Sequence, residues 1–114
     1  MLGLVQAGLT GLAASAADWW LANVPADRVA YWDFSSTAVR DTSATAIAAA
    51  AMARLGGRYR DAARATVDAL MASHRNAEGV LVDGCTTLKS KDGTVRHELI
   101  WGDYFLLETL LELG

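Results

Sequence analysis

Between Met1 and Asn23 apolar residues recur every three or four positions, with Leu2, Val5, Leu9, Leu12, Ala13, Ala16 and Trp20 on one face of a helix. The pattern predicts a single helix to about Asn23, stopped by Pro25, whose ring would displace the helical backbone before it. Leu4, Trp19 and Leu21 fall outside that stripe. This helix is therefore apolar almost all round, more than one packing partner can cover on a single side.

Farther along, the chain is marked by its helix ends. Asp41 stands before the alanine-rich run Thr42 to Leu55, where its carboxylate can take the free N–H groups of the first turn. Gly56 and Gly57 can close that helix in a left-handed conformation. The next run, Arg58 to Arg75, puts Tyr59, Ala62, Ala63, Thr66, Ala69 and Leu70 on one face, which predicts an antiparallel helix pair. After Asn76 the periodicity is lost. Asp83-Gly84 and Asp92-Gly93 are turn signals, and the reading is a long loop with a hairpin between Thr86 and Leu99. Asp103 is then expected to cap a last helix carrying Tyr104, Leu107, Leu110 and Leu111 up to Gly114. The fold class is all-α, about four helices plus the loop or hairpin, in one domain over residues 1–114.

Composition narrows the functions open to such a chain. With 114 residues it is the size of a single domain, and 53% hydrophobic against 20% charged residues is a globular balance. A formal charge of -3 with scattered Lys and Arg excludes electrostatic capture of nucleic acid. No membrane span is patterned. Ala14-Ser15-Ala16 has the small residues of a leader-peptide cleavage site, yet no Lys or Arg precedes the apolar stretch, so a helix is the better reading. The lone Cys85 cannot form an internal disulfide, and a cytoplasmic setting is the expectation. Cys and His are not spaced as metal ligands, and there is neither a phosphate loop nor a nucleophile elbow. No cofactor or metal is expected. Small helix faces bury little area each, so this composition suits the wall of a larger helical array.

Three short motifs carry more specific information: Tyr31-Trp32-Asp33-Phe34, the run from Arg40-Asp41-Thr42-Ser43 to Ala48, and Ile100-Trp101-Gly102-Asp103-Tyr104 continuing to Glu108. In identity, order and spacing they resemble the C-terminal part of glycoside hydrolase family 88, the unsaturated glucuronyl hydrolases, with the rhamnogalacturonyl hydrolases more distant. The resemblance implies a segment of an (α/α)6 barrel, a six-hairpin toroid. It also implies a substrate, an oligosaccharide with a 4,5-unsaturated uronic acid at its non-reducing end, cleaved by hydration of the double bond. A carboxylic acid protonates that bond, water adds to the neighbouring carbon, and the resulting hemiketal falls apart. Family members hold their catalytic aspartates in an N-terminal half to which nothing here corresponds, so no residue of this chain is assigned a catalytic role. The alternative is a non-catalytic helical interaction module derived from the same fold.

The substrate-binding candidates are Trp32, Asp33, Asp41, Ser43, Trp101 and Asp103, each with a structural reading beside the functional one. Trp32 and Trp101 offer flat aromatic faces to a sugar, or fill gaps between helices. Asp33 can take sugar hydroxyls or fix its own loop. Asp41, Ser43 and Asp103 are explained by capping, with Gly102 allowing a close approach. Arg96 and His97, adjacent in the loop, could help hold an anionic sugar. His74 reads as surface charge at a helix C-terminus, and Cys85 as a small semi-buried residue. Self-association through uncovered helix faces is also expected.

Overall fold

The computed structural model describes residues 1–87 and 96–114, and within them the chain forms five helices and three isolated antiparallel bridges. The helices are α1 (Leu2–Gln6), α2 (Thr10–Asn23), α3 (Thr42–Leu55), α4 (Gly57–Ser73) and α5 (Ile100–Leu113). The single N-terminal helix expected from the pattern is broken in two. Gly8, at φ +75, donates to the Val5 carbonyl while Leu9 donates to that of Leu4, a Schellman closure that ends α1. Gly8 and Leu9 are also too exposed for tertiary packing to hold a straight helix through them. α2 ends at Asn23 as expected, with Val24 extended ahead of Pro25.

α3 is the hub. Asp41 caps it as the sequence predicts, accepting from the Ser43 and Ala44 N–H groups. Ten of its 14 residues are buried, among them Ala46, Ala49, Met52 and Ala53. Because these side chains are small, α4 and α5 pack closely against it while α1 and α2 cover other parts of its surface. Gly56, at φ +77, joins α3 to α4 in one residue, and α4 turns Ala63, Thr66, Val67 and Leu70 into the core. α5 contributes Gly102, Leu106, Thr109 and Leu113.

Two loops run across the end where α3 and α5 begin. The first brings Tyr31 opposite Arg40 and buries Val29 and Ala30, with the Ala30 N–H donating to Thr45 Oγ1 at 3.0 Å. The second pairs Arg75 with Leu81 and Gly84 with His97. The expected hairpin falls largely on residues 88–95, outside the described residues. Its described arm closes at Gly84, two residues earlier than the sequence suggests, and Leu81, Asp83, Gly84 and Cys85 are buried.

The start of the last helix also differs from the expected one. α5 begins at Ile100 with Leu99 at its N-cap and no side-chain cap, so Asp103 lies inside the first turn. The carboxylate is drawn away by a tertiary bond, accepting from the Leu81 N–H at 2.8 Å.

Candidate functional site

The three motifs meet at this one end of the bundle. Gly102 is the contact point, since a Cβ there would come within 3.4 Å of Ser43 Cβ and 3.3 Å of Leu81 Cδ2. Asp41 Oδ1 reaches over to the Cys85 N–H at 3.3 Å, while Thr42 donates both its N–H and its hydroxyl to the 82–83 backbone. Asp41, Thr42 and Asp103 therefore bind the loop from Leu81 to Cys85 to the starts of α3 and α5. Ser43 Oγ donates to Asp41 Oδ1 at 2.6 Å, and both residues are buried.

The two tryptophans and Asp33 are more open. Trp32 is 41% exposed and Trp101 43%. Trp32 and Asp33 line a shallow recess with Ser36, Ala38 and Val39. Asp33 holds its own turn by accepting from Ser35 N–H and Oγ, and these bonds keep its carboxyl below the ordinary range. Phe34 leaves the recess to pack against Trp19 and Trp20 of α2.

Beside this recess lies a larger cleft of about 330 Å³, lined by Ala38, Val39, Arg40, His74, Asp83 and Arg96. Arg40 is rigidly held. Its guanidinium pairs bidentately with Asp27 at 2.9 and 2.7 Å, also donates to the Val29 carbonyl, and lies 4.1 Å above the Tyr31 ring. Asp83 organises the opposite wall. His74 Nδ1 is 2.9 Å from one of its carboxylate oxygens, and Arg96 Nε donates to the other. Burial works to raise the Asp83 carboxyl, but the hydrogen bonds from Arg96 and His74 outweigh it and hold it low. Arg96 is correspondingly pushed up by Asp83.

Sequence reasoning did not assemble this cleft. His74, read as surface charge, is half-buried as the C-cap of α4 with Asp83 as partner. Arg96 shares the cleft with His74, while its neighbour His97 pairs with the backbone of Gly84. Asp83-Gly84 was legible as a turn, and Asp83 indeed sits at φ +63, which Asp tolerates better than most residues. Nothing in the local pattern reveals that this turn carries the carboxylate joining His74 to Arg96. Cys85 is buried more fully than expected, and burial followed by the nearby Asp41 charge raises its thiol, so it is not an activated nucleophile. Among the described residues no three His, Cys, Asp or Glu side chains are grouped as metal ligands, and no helix is long and apolar enough to cross a membrane.

The helices match the helical toroid fold of a class of carbohydrate hydrolases. No family model matches the chain. Unsaturated glucuronyl hydrolase of Bacillus sp. strain GL1 is 34% identical over 129 aligned positions, covering 96% of this chain and 34% of the relative. The crystal structure of the Bacillus sp. GL1 hydrolase, described as responsible for glycosaminoglycan degradation, superposes with a TM-score of 0.82 at 34% identity, over 95% of this chain and 33% of that one. A UGL variant with dGlcA-Glc-Rha-Glc gives the same values. The chain is thus a partial match to unsaturated glucuronyl hydrolase, spanning about a third of the length of the relatives it matches.

Proposed function

We propose that this chain is part of an unsaturated glucuronyl hydrolase and forms one wall of its substrate cleft. The enzyme acts on oligosaccharides with a 4,5-unsaturated uronic acid at the non-reducing end, by hydrating the double bond. The observation that carries this reading is the pairing of 34% identity over nearly the whole chain with a TM-score of 0.82 to the same hydrolase. Chance resemblance of helical hairpins would not preserve both.

The division of labour follows from the hydrogen bonds. Asp41 and Asp103 hold the loop at the mouth, with Ser43 bonded to Asp41, whereas Trp32 and Trp101 present aromatic faces against which a pyranose can stack. Asp33 stands beside Trp32 where it can take a sugar hydroxyl. The proton donor is supplied by the rest of the enzyme.

The test is a graft in which this chain replaces the equivalent third of the Bacillus enzyme. The graft should consume an unsaturated uronyl disaccharide, seen as loss of the double bond's ultraviolet absorbance, while the isolated chain should not. A folded, soluble graft with no turnover would reject the hydrolase reading and leave the non-catalytic helical module.

A further inference from the structure

The cleft on Asp83 adjoins the recess at Trp32 across Ala38 and Val39, but its charged groups give it chemistry of its own. We propose that the cleft between Arg40, His74 and Arg96 is a subsite for an acidic sugar residue, in which Arg96 takes the sugar carboxylate and Asp83 positions Arg96 and His74. This inference rests on the hydrolase reading for its choice of a saccharide.

The geometry supplies the donors. Asp83 engages Arg96 through Nε, which leaves the two Nη groups without a hydrogen-bond partner among the described residues. That end of a guanidinium is the fork that pairs bidentately with a carboxylate. The Arg96 side chain is 77% exposed, so a solute reaches it freely. Asp83 also bonds Nδ1 of His74 at 2.9 Å, which fixes the ring orientation and leaves Nε2 outside that bond. One buried carboxylate thus sets the direction of two ligand-facing groups.

The rest of the cleft suits a sugar. Ala38 and Val39 give an apolar wall, and Arg40 is locked by Asp27 and Tyr31, so little side-chain freedom is lost there when a ligand enters. The volume of about 330 Å³ lies at the small end of the roughly 300 to 1,000 Å³ range of ligand pockets. It has room for a single sugar with its acidic group. Each arginine already has a carboxylate partner, Asp27 or Asp83, so the cleft is not a bare cationic patch. Recognition therefore depends on directed hydrogen bonds, which distinguish a uronate from a simple anion.

The experiment titrates the full chain with glucuronate, glucose and acetate, following binding by calorimetry and backbone amide shifts. Glucuronate should bind saturably, while glucose and acetate should each bind at least about tenfold more weakly, a loss on the scale of one charged hydrogen bond. R96Q should abolish that preference without altering the circular dichroism, and R96K should restore part of it. D83N should weaken glucuronate more than glucose, a selectivity that a general loss of the cleft would not produce. In the graft, R96Q should raise KM for the unsaturated disaccharide about tenfold with kcat within about twofold. Unchanged glucuronate binding in R96Q overturns the proposal, as does equal affinity for acetate, which would make the cleft a simple anion site. An active graft whose KM ignores R96Q rejects the subsite and keeps the hydrolase reading. An inert graft beside R96-dependent glucuronate binding rejects the hydrolase reading and keeps the subsite.

Discussion

Asp41 shows how much one side chain can hold. Its Oδ1 accepts from the Ser43 and Ala44 N–H groups, from Ser43 Oγ and from the Cys85 N–H, tying the start of α3 to a loop 44 residues away in sequence. D41A removes a cap and strands a buried N–H, so urea unfolding should show a loss of about 2 to 4 kcal/mol. A loss below about 0.5 kcal/mol would mean that water replaces the carboxylate without cost. Asp83 gives a pH signature. Its carboxyl is held below its ordinary value of 3.8 in the folded chain, so its stabilisation is complete above that value and fades as pH falls through the lower folded value. D83N should therefore flatten the acid limb of the stability curve, measured by urea midpoints from neutral pH downward. Asp27, also lowered, keeps some slope in the variant. An acid limb of unchanged steepness would show that Asp83 is no better partnered folded than unfolded.

Among the elements, two buried glycines respond differently because their surroundings differ. At Gly102 an added methyl meets the tip of Leu81 at 3.3 Å and Ser43 at 3.4 Å, contacts that a small rotamer shift can relieve. Alanine also gains about 1 kcal/mol of helix propensity there, so G102A should lie within about 1 kcal/mol of the parent, while G102L should be destabilised by about 3 kcal/mol or more. At Gly84 the methyl would sit 2.8 Å from Leu99 Cδ1 and 3.2 Å from the His97 carbonyl, which is fixed by the bridge hydrogen bonds. G84A should cost about 1 to 3 kcal/mol in thermal or urea unfolding. The reverse ranking of G84A and G102A would contradict the packing described for α3, α5 and the second loop.

The whole molecule is well condensed yet incompletely covered. Its radius of gyration of 13.6 Å is close to the roughly 13 to 14 Å of an independent domain of this length, and its 6291 Å² of accessible surface is near the roughly 6,000 Å² usual for its mass. Even so, α5 turns Ile100, Tyr104, Leu107 and Leu111 outward at helical spacing, with Ile100 80% and Leu111 74% exposed. Around α2, Leu9, Leu12 and Trp19 do the same. Apolar stripes of this size drive association. Light scattering across a dilution series should show mass rising with concentration together with hydrophobic-dye binding. The double variant L107E/L111E should lower both with little change in stability, since neither residue is buried. A dye-free monomer at all concentrations would mean that these stripes are inert.

The sequence by itself determined α3 and its cap, the span of α4 to within two residues, the end of α2, and the toroid to which they belong. These depend on local causes, a capping carboxylate, the helical period, a following proline, and three motifs whose residues are contiguous. It did not determine the break at Gly8, where an exposed glycine closed a helix whose apolar period ran straight through it. Nor did it place Asp103 in the first turn of α5, because a bond to Leu81 across the fold outweighed the capping preference of an aspartate. Of the site, the aromatic recess was legible because Trp32 and Asp33 are neighbours in the chain. The Arg40, His74, Asp83 and Arg96 cleft was not, since its members come from the loop before α3, the end of α4 and both arms of the second loop. Only the packing of α4 and α5 on α3 brings those segments together, and a side chain's partner at long sequence separation is decided by that packing and by no local preference.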